Sequence, residues 1–157
     1  MINEFRGPYR WLSNFWTSPF TLNAVGCVPE IYPGLTGRFT FSSVEQAYVA
    51  AKTDNPLVQL QVMRLKTPGE MKRFGKTISL RSNWEQIKLP VMSLLVAQKF
   101  IQNQDLAKKL VETGDHVLIE GNTWHDRFWG KCFCPNHVGE GKNELGKILM
   151  NVRKGLQ

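Results

Sequence analysis

The 157-residue sequence predicts a helix-rich α+β fold, a single domain spanning residues 1–157 with a few short strands. Three observations predict it. The length suits one domain with a real core and is short for two ordinary ones. Helix-start signals recur from residue 42 onward, built from Ser, Thr or Asn with Pro or Glu close behind. Strand-like alternation is confined to short runs near residues 20, 40 and 118.

In chain order, the first forty residues are rich in aromatics and turn formers. They read as loops and short strands, with Phe20-Thr21-Leu22 and Arg38-Phe39-Thr40-Phe41 as the strands and the Pro29–Gly37 stretch as an irregular loop. Ser42 reads as the cap of a helix, and Glu45 completes the spacing of a capping box. Asn55-Pro56 opens a helix expected to run to about Leu65. Thr67-Pro68-Gly69-Glu70 opens another that ends at Gly75. The longest helix starts at Ser82-Asn83-Trp84-Glu85. Its buried stripe is expected to hold Trp84, Ile87, Val91, Leu94, Leu95 and Phe100/Ile101, with Pro90 bending or loosening it. Asp105–Thr113 reads as a helix closed by Gly114, and 116–120 as a strand. A loop from Gly121 to Gly141 precedes a final helix over 142–153.

Composition excludes several classes. At 42% hydrophobic and 21% charged residues the chain reads as a soluble globular protein, and no apolar run approaches a membrane span. Met1–Arg6 lacks a basic segment followed by an apolar run, so no secretory signal is expected and a cytoplasmic location is. The net charge of +7 suits phosphates, nucleotides or nucleic acid, yet the basic residues are dispersed, which also serves solubility. Three cysteines do not make a disulfide framework. Cys132-Phe133-Cys134-Pro135-Asn136-His137, with His125 upstream, offers zinc donors. The C-x-C spacing lacks the usual two-residue gap and there is no second Cys pair, so reduced loop cysteines and no metal are expected.

The most informative segment is Ser42-Ser43-Val44-Glu45-Gln46-Ala47-Tyr48-Val49-Ala50-Ala51-Lys52. Read as a helix, it places Glu45, Tyr48, Val49 and Lys52 on one stripe at i, i+3, i+4 and i+7, among small alanines. A carboxylate, a phenol and an amine on one stripe suit acid–base or nucleophilic chemistry. Three further segments carry chemistry. Asp126 lies beside Trp124 and Trp129, where apolar rings can desolvate a carboxylate, although a plain turn Asp fits equally. Gly139-Glu140-Gly141-Lys142-Asn143-Glu144 is a glycine-rich loop entering a helix, a place where amides can hold phosphate, though it is not a P-loop. Trp84, after Arg81, can stack on a ring or simply be core, and Asn14 sits in a polar turn. No serine has a nucleophile elbow around it, so a Ser-His-Asp site built on His116, His125 or His137 is not expected.

These pieces resemble a known family. Leu12-Ser13-Asn14-Phe15, Ser43–Tyr48 through Lys52, Pro68–Gly75, Arg81-Ser82-Asn83-Trp84, Lys99-Phe100, Thr113-Gly114-Asp115, Asp126–Gly130 and Gly141–Gly146 are similar to blocks of the YbiA-like, or NADAR, proteins, in order over nearly the whole chain. Gln46 stands where the family often has His, and the Trp124–Asn136 insert is this chain's own. The resemblance implies N-glycosidase chemistry on phosphorylated ribosides, either riboflavin-pathway intermediates or ADP-ribosylated guanine in nucleic acid. It implies Glu45, Asp126 and Lys52 as catalytic candidates. Asn14, Tyr48, Arg81, Trp84, Trp129, Lys142 and Asn143 are the implied substrate contacts. No metal or redox cofactor is expected. The partner is a small phosphorylated riboside or ADP-ribosylated nucleic acid, and not a membrane. The rival reading is a non-catalytic binder of ADP-ribose or nucleic acid, which would bind without turnover.

Overall fold

The computed structural model describes residues 1–157, as seven α-helices, one 3-10 helix and four short strands. The α+β, helix-rich fold class is as expected. The chain forms two compact units. One is Thr17–Gln102. The other combines Met1–Trp16 with Asn103–Gln157. No helix is long and apolar enough to cross a membrane.

In the Thr17–Gln102 unit, β1 (Phe20–Asn23) pairs antiparallel with β2 (Arg38–Phe41), Phe20 opposite Phe41 and Leu22 opposite Phe39. The period-2 alternation puts all four of these side chains on the buried face. Gln102 finishes the β1 edge by accepting the Thr21 N–H and donating to the Thr21 carbonyl, both at 2.8 Å. Between the strands, where a plain loop is expected, lies a one-turn helix α1 (Val28–Ile31). Tyr32 follows it, fully buried against Phe39 and Phe41, and donates its hydroxyl to the Ala47 carbonyl at 2.8 Å.

Helix α2 (Val44–Ala51) is the centre of this unit, with Ala47, Val49, Ala50 and Ala51 at 0% exposure. Its small side chains let α3 (Pro56–Val62), α4 (Pro68–Gly75) and α5 (Trp84–Gln102) pack around it. Two buried glutamines join these helices. Gln59 donates Nε2 to the carbonyls of Ile31, Ala50 and Thr53 and accepts the Gly34 N–H. Gln46 donates Nε2 to the carbonyls of Val62, Met63 and Leu65. That takes up the carbonyls at the α3 terminus, and the helix stops at Val62 rather than running to Leu65. In α5 the buried stripe holds Trp84, Val91, Met92, Leu95, Val96, Lys99 and Phe100. Trp84, Val91, Leu95 and Phe100 are buried as expected, whereas Ile87 and Leu94 are only half-buried and Ile101 is 58% exposed, and Met92, Val96 and Lys99 complete the stripe.

In the second unit a 3-10 helix (Gly7–Leu12) follows the N-terminus, where the sequence suggests loops or short strands. Helices α6 (Gln104–Glu112) and α7 (Glu144–Leu156) pack together. Buried Arg153 of α7 donates to the Thr113 hydroxyl and the His116 carbonyl. Residues 116–120 are not a strand; they make a single parallel bridge, Ile2 to Leu118. The paired strands are β3 (Gly121–Asn122) and β4 (Lys131–Cys132), two residues each and parallel, inside the expected loop.

Candidate active site

Helix α2 opens one residue later than the Ser42-x-x-Glu45 spacing implies. Ser43 is the N-cap and its hydroxyl accepts the Gln46 N–H at 3.2 Å. Gln46, at the third helical position, reaches back so that its Oε1 accepts the Ser42 N–H at 2.8 Å. The cap thus belongs to Ser43, with Gln46 holding the Ser42 amide just before it, and the tertiary bonds of Gln46 to the end of α3 fix that register. Glu45 falls at the second helical position and takes no part in the cap.

The helical stripe is as expected. Tyr48 is 7% exposed and packs its ring on Trp84, with ring centroids 5.1 Å apart and tilted by 56°. The Lys52 ammonium stands 5.4 Å from the centre of the Tyr48 ring. Burial pushes the Glu45 carboxyl above the ordinary carboxylate range, and the charges of Lys52 and Lys72 pull it partway back. A carboxyl raised in this way beside an amine can trade a proton nearer neutrality than a solvated one. Glu45, Tyr48, Lys52 and Trp84 therefore form one cluster in the Thr17–Gln102 unit. Arg81 lies in the same unit but is engaged with the scaffold. Its guanidinium donates to the carbonyls of Glu30, Ile31 and Ala51 and to Asn83 Oδ1. Four hydrogen bonds from a five-donor group leave little for a phosphate.

Asn14, Asp126, Trp129, Lys142 and Asn143 belong to the other unit. Asn14 sits in the turn after the 3-10 helix, where the Phe15 N–H bonds the Ser13 hydroxyl. Asp126 organises a turn: its Oδ1 accepts the N–H groups of Phe128 and Trp129 at 3.0 and 2.9 Å. Trp129 meets Phe128 edge-on, with centroids 4.8 Å apart. The glycine-rich loop does not present the free amides that a phosphate site at a helix start needs. The N–H groups of Asn143, Glu144 and Leu145 donate to the carbonyls of Gly130, Phe128 and Trp129. Asn143 is itself buried, in the left-handed region at φ 55°, and that bend delays α7 to Glu144. Its side chain donates to the Leu118 carbonyl and accepts the Glu120 N–H. A Cβ at Gly146 would run into that same carbonyl and amide, which is why the motif holds glycine there. Lys142 alone keeps an exposed cation, 5.5 Å from the Phe128 ring centre.

Sequence reasoning missed two features. Lys99 lies within the apolar stripe of α5, and desolvation pushes its amine down to about 7; a lysine at a stripe position is the signal that could have found it. Glu120 Oε2 is buried with no hydrogen-bond partner. Desolvation and the neighbouring Asp126 charge raise its carboxyl to about 7, against the pull of Arg6. No spacing rule points to it. Because the fold favours protonated Glu120, its contribution to stability is complete below the ordinary value of 4.5 and is lost as pH rises through about 7. The melting temperature of Glu120→Gln should therefore rise relative to wild type between pH 4 and 8. A difference that does not change with pH would show that Glu120 titrates normally. The four zinc donors seen in the sequence, His125, Cys132, Cys134 and His137, do come together, with donor atoms all within 4.8 Å of one another. The C-x-C spacing by itself is short of the usual gap, and the fold brings His125 Nδ1 to 3.9 Å from Cys132 Sγ and 3.4 Å from Cys134 Sγ.

The fold is α+β, and it gathers an acid, an amine and two aromatic rings at α2 and the start of α5. A NADAR domain model matches residues 2–157, and the chain belongs to the NADAR domain family. It is 34% identical over 149 residues to a riboflavin biosynthesis protein of Vibrio vulnificus, covering 94% of this chain and 35% of that protein. The chain thus spans about a third of that relative's length. It is 34% identical over 140 residues to an N-glycosidase of Nostoc punctiforme, covering 84% of this chain and 86% of that one. The NMR structure of YbiA from Escherichia coli aligns with a TM-score of 0.75 at 26% identity, over 99% of this chain and 86% of that one. The sequence of E. coli YbiA, named an N-glycosidase, is 34% identical over 119 residues, covering 74% of this chain and 71% of that one.

Proposed function

We propose that this chain is an N-glycosidase that hydrolyses the C1′–N bond of a small phosphorylated riboside. The observation that carries the reading is the α2 stripe: Glu45 with a raised carboxyl, Lys52 beside it, and the Tyr48–Trp84 pair as an aromatic wall. Cleavage of the C1′–N bond builds positive charge on the ribose ring. Glu45 stabilises that charge and activates the attacking water. Lys52 either holds the phosphate or attacks C1′, forming a Schiff base with the opened sugar. The names of the relatives support N-glycosidase chemistry and a riboflavin precursor. Asp126 remains a candidate through the family resemblance.

The test is incubation with an aminopyrimidine ribosyl phosphate and with ADP-ribosylated guanosine, free and in DNA, followed by mass spectrometry of the released base. Binding that shifts the melting temperature without base release would make the chain a binder. Salt separates small from polymeric substrates. For a small riboside, activity on the mononucleoside and on the DNA form should fall with salt on similar shallow slopes. A much steeper fall for DNA alone would mean that the +7 charge holds nucleic-acid phosphates.

A further inference from the structure

We propose that His125, Cys132, Cys134 and His137 form a structural zinc site. The distances fit one cation. With Zn–S of about 2.3 Å and Zn–N of about 2.0–2.1 Å, a regular tetrahedron separates two nitrogens by about 3.3 Å, and a nitrogen from a sulfur by about 3.5 Å. The Nδ1 atoms of His125 and His137 are 3.3 Å apart. Cys134 Sγ lies 3.1 Å from His137 Nδ1 and 3.4 Å from His125 Nδ1, and Cys132 Sγ lies 3.9 Å from His125 Nδ1. The cluster thus has the size of a metal's inner shell before any ion is placed in it.

Hydrogen bonding explains this arrangement poorly. Two neutral imidazoles facing each other through Nδ1 can share one proton at most, and thiols are weak donors. A cation satisfies all four lone pairs together. Both sulfurs are buried, Cys132 at 0% and Cys134 at 6% exposure, and the Cys134 N–H points to Cys132 Sγ at 3.5 Å, as amides do around zinc-bound thiolates. His125 holds φ at 69°, in the left-handed region that non-glycine residues avoid. That conformation is strained, and it persists where surrounding structure imposes it.

The site is structural because four side chains fill a tetrahedron and leave no position for substrate or water. The ligands come from the loop between β3 and β4, from β4 itself and from the turn after it. One ion would pin these three pieces, and with them the Asp126 turn next to His125. Binding of Zn²⁺ displaces the thiol protons of Cys132 and Cys134 into solvent, and both histidines bind as neutral rings.

The test is the metal content of the full chain after saturation with Zn²⁺ and gel filtration, together with the absorption spectrum of the Co²⁺-substituted protein. One zinc per chain is expected, with the visible bands of tetrahedral cobalt and a thiolate-to-cobalt charge-transfer band. Cys134→Ser should lower retained zinc at least about tenfold, while Cys27→Ser, at an exposed cysteine that is not one of the four donors, should retain it. If Cys134→Ser fails to fold, His125→Asn keeps a residue that tolerates the left-handed backbone and should still alter the cobalt bands. A folded wild-type chain that leaves Zn²⁺ in the filtrate, octahedral cobalt, or bands unchanged by His125→Asn would overturn the site.

Discussion

Glu45→Gln is expected to lower turnover by about 10²-fold or more while the protein stays folded. The substitution keeps the side-chain volume, and because Ser43 and Gln46 make the hydrogen bonds at the helix start, the cap does not depend on Glu45. Stability should move the other way. Burial raises the Glu45 carboxyl, so the fold favours its neutral form, and its contribution is lost as pH rises above the ordinary carboxylate range. A neutral amide escapes that loss. Glu45→Gln should therefore melt at or above the wild-type temperature at pH 7, and the two should converge in acid. An inactive, more stable variant is the signature of a residue held against its own preference for the sake of chemistry. Near wild-type activity would remove Glu45 from the mechanism.

Lys52 carries the second large effect, and it separates two mechanisms. If its amine attacks C1′, the C1′–N bond breaks as the new one forms, and the opened sugar becomes an imine that borohydride can reduce. A sugar adduct trapped on Lys52 is then expected, and Lys52→Arg should be inactive, since a guanidinium is not a nucleophile at neutral pH. An active Lys52→Arg protein with no trapped adduct would leave Lys52 only the phosphate. The amine lies beside the Tyr48 ring and lowers the Glu45 carboxyl, so Lys52→Arg should also be read for a shift in the pH profile.

What the sequence made legible was local. Thr67-Pro68-Gly69-Glu70 is a complete capping box, with the Thr67 hydroxyl on the Glu70 N–H and the Glu70 carboxylate on the amides of Lys66 and Thr67. Asn55-Pro56 opens a helix as its chemistry dictates, with Asn55 accepting the N–H groups of Leu57 and Val58. The α2 stripe needed only the 3.6-residue period. What failed was set by distant groups. Which serine caps α2 was decided by Gln46 reaching residues 62–65. The carbonyls that Arg81 and Asn143 engage lie 25 to 51 residues away in sequence, so no local pattern shows these bonds. A two-residue parallel pairing such as β3–β4 leaves no periodic trace at all.

The start of α7 has a consequence for motion. The first amides of the helix are taken up by the carbonyls of residues 127–130, so the aromatic segment is stitched to the helix without being a strand or helix itself. Opening that segment would uncap the helix, and fraying the helix would release the segment. The two therefore belong to one cooperative opening unit, and amides 143–145 should exchange as slowly as those in the interior of α7. Asp126, whose carboxylate accepts the amides of Phe128 and Trp129, ties the same turn and should open only with that unit.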